Sequence, residues 1–298
     1  MILGIYMIHS LAYTNTMASS SFASNETDFE STAVPNWVEL PRDITANIFQ
    51  RLGTIDIVTS VRYVCPIWWN IFKDPLMWRT IRMTKFSDFY DQPVEICQYA
   101  IKQSCGHLEN IFIDDFATDD LLKFIAENAS NLRGLRLVNC PGISNEVFCQ
   151  AVKILPLLER LNISLCNLSK DSLEVVGQYC PLLTVLIFGR SEFPFDICDD
   201  DAIVIAETMV GLRHLNIQGS SLSNAGLFAI LAGCPHLEFL DIRGCYNLDL
   251  NDSLKKKCID QIKNLRLPEP IVYDDYDNIY VYTVWDLTMD DDCYDPND

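Results

Sequence analysis

The sequence predicts an α/β protein. A short three-helix head is followed by a curved solenoid, with parallel strands on its concave side and helices on its convex side. Three observations predict it. A unit L-x-x-L-x-L/I-x-x-C recurs from Leu108 onward at intervals of 24, 26, 25, 29 and 25 residues. A fixed period in that range is the mark of stacked repeats. Helical stripes such as Leu121, Leu122, Ile125 and Leu173, Val176 lie between the copies. Upstream, residues 40–72 carry apolar side chains at spacings of three and four.

The chain has 298 residues, 49% of them hydrophobic and 21% charged. That is enough to bury a substantial core and excludes global disorder. Asp and Glu number 41 against 22 Lys and Arg, a net charge of −19. So acidic a chain is ill suited to nucleic acid, which binds by exchanging counterions for basic side chains. No apolar run reaches the ~20 residues of a membrane helix. The 12 Cys form no C-x-x-C pair and no Cys/His cluster at zinc spacing. Several fall on repeat positions, which reads as buried thiols in a reducing compartment. The opening MILGIYMIHSLAYTNT is apolar, but the first Lys or Arg in the chain is Arg42. Without a basic n-region the segment reads as an extension upstream of Met17 rather than a secretory signal.

Residues 17–35 are rich in Ser, Thr and Asn, and residues 1–35 as a whole are expected to be disordered. The head follows over 36–82. Pro41 suits a first helical turn. Leu40, Ile44, Ile48 and Leu52 then form one apolar stripe, and Gly53 ends the helix. A second stripe runs through Val61, Val64, Cys65, Trp68 and Phe72, with Pro66 breaking it near Cys65. So short a segment has only a marginal core of its own, so its surplus aromatics must pack on the next domain or face a partner.

The segment WVELPRDITANIFQRLGTIDIVTSVRYVCPIWWNIFKDPLMWRTI resembles an F-box. Leu40, Pro41, Ile44, Ile48, Phe49 and Leu52 carry its opening motif. Val64, Cys65 and Trp68 carry the middle, and Asp74, Pro75, Trp78 and Arg79 the end. Pro66 departs from the basic residue usual there. It either weakens the adaptor-binding helices or simply starts a helix. The resemblance implies that Leu40, Pro41, Ile44, Ile48, Leu52, Val61, Val64 and Trp68 bind a Skp-type adaptor.

The body spans 105–270. Its units begin at Leu108, Leu132, Leu158, Leu183, Leu212 and Leu237, with a weaker seventh copy at Leu265 and Leu267. Cys105, Cys180 and Cys234 sit three residues before a repeat Leu, and Pro181 and Pro235 end the preceding helices. One unit cannot bury its apolar face, so neighbours must stack. Alternation along each strand points two leucines inward and turns the flanking residues to the concave side. Cys140, Cys166 and Cys245 at the strand exits resemble the cysteine-containing class of leucine-rich repeats found in intracellular F-box proteins. The concave positions include Phe112, Arg136, Arg160, His214, Asn216, Phe239, Asp241 and Arg243. They are read as a target-binding face, and changing Arg136, Arg160, Asp241 and Arg243, with Phe239, is expected to cost little stability, as at surface sites. Phe112 and Phe239 would be awkward in water.

The longest interval contains SEFPFDICDDD, residues 191–201, an inserted loop whose Asp run reads as the acidic start of a helix rather than a calcium loop. Residues 271–298 form a tail with nine Asp and no Lys or Arg; Ile279–Val284 could form a strand, but the tail is read as flexible, its aromatic part docking on the last repeat. Four His, none beside a nucleophile elbow, and the lack of any phosphate-binding glycine motif leave no basis for catalysis, a metal or a cofactor.

The whole chain is similar to plant F-box/leucine-rich-repeat proteins. The resemblance implies a non-catalytic substrate receptor of a Skp–cullin–F-box ubiquitin ligase in the nucleus or cytoplasm, its head on the adaptor and thereby on a cullin, its solenoid on a protein target. Two other readings stay open: an interaction scaffold with a degenerate F-box, and a small-molecule co-receptor.

Overall fold

The computed structural model describes residues 40–84, 92–189 and 198–268. The readings made for residues 1–35, Trp37, Phe193, Phe195 and the tail 271–298 lie outside them. In the head, α1 (Arg42–Phe49), α2 (Thr54–Thr59) and α3 (Pro66–Ile71) are joined through a 3₁₀ turn at Val61–Tyr63. A second 3₁₀ turn, Pro75–Trp78, leads out. Pro66 is the first residue of α3, where its missing N–H is no loss. The Cys65 sulfur accepts a hydrogen bond from the Trp68 amide at 3.5 Å and caps the helix.

The body alternates strand and helix. It runs β1 (Thr80–Met83), α4 (Pro93–Gln103), β2 (Asn110–Asp114), α5 (Asp119–Asn128), β3 (Gly134–Val138) and α6 (Asn145–Lys153). Then come β4 (Arg160–Asn162), α7 (Lys170–Tyr179), β5 (Val185–Ile187), α8 (Asp200–Thr208) and β6 (His214–Asn216). α9 (Asn224–Gly233), β7 (Phe239–Asp241), α10 (Asp252–Gln261) and β8 (Asn264–Arg266) complete it. The strands form one eight-stranded parallel sheet in sequence order. The expected solenoid is therefore present, and the weak seventh copy is a true rung, Leu265 lying opposite Leu240. One rung was not read from the sequence. Residues 80–83, allotted to the head, form the first strand, with Ile81 opposite Ile111.

The register explains the repeat. Ile81, Ile111, Leu135, Leu161, Leu186, Leu215, Leu240 and Leu265 form one inward row. All but Leu265 are buried. Five strands, β2, β3, β4, β6 and β7, leave through a left-handed residue four positions after that row, at Asp115, Asn139, Leu165, Gly219 and Gly244. Asp, Asn and Gly tolerate this conformation, whereas Leu165 adopts it at a steric cost. The Cys after the turn points inward and closes the rung. The thiols of Cys140, Cys166 and Cys245 donate to the carbonyls of Ile113, Leu137 and Ile217 in the preceding repeat, at 3.9, 3.4 and 3.4 Å.

Helix starts are tied laterally as well. Asp119 at the start of α5 accepts from the amide and hydroxyl of Ser144, which caps α6. Asn145 accepts from the Ser169 amide, and Asp199 from the Ser223 amide and hydroxyl. The Asp run at 199–201 thus does open α8, as its acidity suggests. At the strand entries, Arg79, Glu109, Arg133, Glu159, Arg213, Glu238 and Lys263 form a ladder of mostly alternating sign. Its rungs include Arg213–Glu238 at 2.7 Å and Glu238–Lys263 at 2.8 Å.

Candidate functional site

The head is built on one aromatic line. Phe49 meets Trp68 edge-on at 4.8 Å and stacks on Phe72 at 5.1 Å, and Phe72 reaches Trp78 at 6.2 Å. Trp78 then packs edge-on against Tyr99 of α4 at 6.1 Å and donates its indole N–H to the Phe72 carbonyl at 2.8 Å. The Thr54 hydroxyl accepts from the Arg82 amide of β1 at 2.9 Å. Head and body therefore share a single hydrophobic core.

This core corrects the adaptor set. Val61 and Trp68 lie inside it, Trp68 only 4% exposed, so neither can meet a partner. Ile48, Leu52 and Val64 are half-buried against it. Leu40, Pro41 and Ile44 are exposed, Ile44 by 48%. Sequence reasoning missed Tyr63, Ile67, Trp69 and Leu76, large apolar residues also exposed on the head, Ile67 by 51%. The signal was present. Val61, Val64, Trp68 and Phe72 were recognised as one stripe, and the inward stripe of a helix cannot also be its outward face.

The concave side is two rows of side chains. One runs Thr80, Asn110, Gly134, Arg160, Val185, His214, Phe239, Asn264. The other runs Arg82, Phe112, Arg136, Asn162, Ile187, Asn216, Asp241, Arg266. The expected residues do line this side, but many are not solvated. Phe112 is 1% exposed: the Arg82 guanidinium covers its ring at 4.4 Å, and Val185 and Ile187 pack against it. Arg136 is buried and pairs with Asp114 through Nε at 3.1 Å and a second nitrogen at 3.3 Å. Asn216 is buried, its Oδ1 accepting from the Gln218 amide.

Asp241 is wholly buried. It accepts from the Arg243 amide and guanidinium, from Gln218 at 2.7 Å and from Arg266 at 3.4 Å. The expectation that substitution would cost little therefore fails for Arg136 and Asp241, which are buried. Pairings within the rows satisfy many of their polar groups.

Arg160, His214, Phe239 and Arg243 remain half-buried. Gly134 makes room for one long reach. A Cβ there would stand 2.4 Å from the Asn110 Oδ1, and across that gap Arg160 of β4 donates to the same oxygen at 2.9 Å. His214 stacks flat on Phe239 at 3.9 Å, with Arg266 over the Phe239 ring at 5.0 Å. Burial, then the nearby Arg266, lowers the His214 pKa to about 4. Arg266, missed in the sequence because its repeat was weak, belongs to the same face.

Burial pushes the thiols of Cys97 and Cys180 up to about 12 and those of Cys234 and Cys245 to about 11. Thiols so held are poor nucleophiles. Among the described residues no three His, Cys, Asp or Glu converge as a metal site, and no helix is long and apolar enough to cross a membrane.

A short helical head fused to a parallel strand–helix solenoid defines an F-box/leucine-rich-repeat architecture. The F-box domain family matches residues 37–80. The chain is 43% identical over 261 residues to F-box protein SKIP19 of Arabidopsis thaliana, covering 87% of this chain and 85% of that one. It is 42% identical to putative F-box/LRR-repeat protein 23 of the same plant, covering 86% of this chain and 59% of that protein. Among solved structures, the yeast Rad7 and Elc1 complex is similar with a TM-score of 0.48 at 15% identity, over 67% of this chain and 59% of that one. The chain belongs to the F-box/leucine-rich-repeat protein family.

Proposed function

We propose that this chain is the substrate receptor of a Skp–cullin–F-box-type ubiquitin ligase. The exposed residues Leu40, Pro41, Ile44, Ile67 and Trp69 meet a Skp-type adaptor, and the concave face holds a protein target. The observation that carries this reading is the joint. An F-box with exposed apolar side chains shares its core and its first strand with the repeat sheet. A target on the sheet would then stand at a fixed position relative to the adaptor. The chain would contribute proximity, raising the effective concentration of a target lysine at a ubiquitin carrier borne by other subunits.

Pro66 lends no support to a degenerate F-box, since it begins a regular capped helix. The buried thiols fit a reducing, intracellular location. Co-purification with adaptor and cullin is the test. Ile44→Asp places a charge on an exposed apolar position and should abolish adaptor capture while leaving the circular dichroism unchanged. Capture that survives Ile44→Asp and Ile67→Asp together would remove the adaptor reading.

A further inference from the structure

The concave face is basic in an acidic molecule. It carries Arg82, Arg136, Arg160, Arg243 and Arg266 against Asp114 and Asp241, five positive groups to two negative, in a chain of net charge −19. The arginines lie on or next to β1, β3, β4, β7 and β8, so the positive field runs the length of the sheet. A concave wall of one sign focuses potential and draws the opposite charge.

Its centre also presents donors that lack acceptors. Asn162 on β4 is wholly buried. Its Oδ1 accepts from the Ser164 amide and hydroxyl, which fixes the orientation of the side-chain amide and leaves Nδ2 as the free end. Neither that Nδ2 nor the neighbouring Arg160 Nε has an acceptor among the described residues. Beside them, Arg82 over Phe112 and Arg266 over the His214–Phe239 stack offer flat guanidinium and aromatic faces suited to further rings.

We propose that the occupant of this face is the chain's own segment 271–298, which a target must displace. Its composition mirrors the face, with nine Asp, five Tyr and Trp285 and no Lys or Arg. Its place in the chain suits it too. It begins five residues after β8, the last rung, which carries Arg266. Twenty-eight residues can extend up to roughly 90 Å. Eight strands at ~4.8 Å spacing span only ~34 Å, so the segment can cross every rung. Tethering gives it an effective concentration that a separate acidic protein lacks. The inference deepens the reading of the concave face as the target surface. Its test uses neither adaptor nor target, so either reading can fail alone.

A fluorescein-labelled peptide of residues 271–298 is titrated into three forms of the full chain, each checked for folding by circular dichroism. These are the native chain, a variant with all nine tail Asp→Asn, and that variant with Arg82→Glu and Arg266→Glu added. The Asp→Asn variant should bind the peptide at least tenfold more tightly than the native chain, whose face is already filled. Arg82→Glu with Arg266→Glu should erase the gain, and 0.5 M salt should weaken it. If the charge reversals misfold, Arg82→Gln with Arg266→Gln should reduce binding several-fold. Equal binding by the first two forms, binding that survives both the reversal and the Gln pair, or equal binding of a scrambled peptide would overturn the proposal. Tight binding by the native chain itself would show an open face awaiting an acidic partner in trans, and would overturn self-occupancy.

Discussion

Head and body solve opposite problems with their surfaces. The head has too few residues to bury all its apolar side chains and leaves Leu40, Ile44, Ile67 and Trp69 exposed. The body has apolar groups enough for a closed core, and its concave rows bury polar residues as well, Arg136, Asn162 and Asp241 among them. Association through the head should therefore be apolar and tolerant of salt. Association through the sheet should be ionic, salt-sensitive and inseparable from folding. A substitution on the head can remove binding alone. One at a buried sheet residue such as Asp241 disturbs the structure itself.

The largest effects should come where that distinction is ignored. Asp241→Ala strands Arg243, Arg266 and Gln218 around an empty position and should destabilise by about 3–5 kcal/mol, as breaking a buried ion pair does. Trp68→Ala opens a cavity beside Phe49 and should cost a similar ~3–5 kcal/mol. Its neighbour Trp69→Ala should stay within about 1 kcal/mol while weakening adaptor capture. Chemical denaturation of the four proteins, with the parent chain as reference, checks this. Equal losses for Trp68 and Trp69 would mean that the two helix faces are reversed.

His214 should make the sheet acid-sensitive. Above pH 6.5 it is neutral in both the folded and the unfolded chain and adds no pH dependence. Between pH 6.5 and about 4 the unfolded chain takes up a proton that the folded one excludes, so stability falls as pH falls. The loss across that window should be on the order of 2 kcal/mol for a ring that is only partly buried. Melting curves of the parent and His214→Gln from pH 7 to 4 isolate it, with the parent losing more. Parallel curves would show that the imidazole ionises freely.

Gly219→Ala tests the strand exits. With φ at +68°, a Cβ there should cost about 1–2 kcal/mol. The smallest effect should come from the entry ladder. Glu238→Gln removes the negative charge shared by Arg213 and Lys263, both exposed, and should shift the denaturation midpoint only slightly, the shift vanishing at high salt.

The solenoid was legible because leucine spacing reports a local fact, the alternation of side chains along each strand. Even the concave register was read correctly, down to Arg160 and Phe239. What the spacing does not report is which side chains on that face pair with one another, and that pairing accompanies burial. No pattern around Arg160 announces that it reaches Asn110, fifty residues away, across a glycine. β1 was missed for a related reason. Its four residues, TIRM, have none of the leucines that mark the later strands, and they become a strand only because β2 supplies the partner.

That first strand has a consequence for how such proteins diversify. With no linker between the F-box and the sheet, each repeat is a step of fixed size along a ruler whose zero is set by β1. Inserting or deleting one 25-residue unit would shift every later rung by ~4.8 Å and one increment of curvature. The head would stay where it is. Under the proposed function, which lysine of a bound protein is presented for modification would thus be changed by counting repeats, with no alteration to either contact surface.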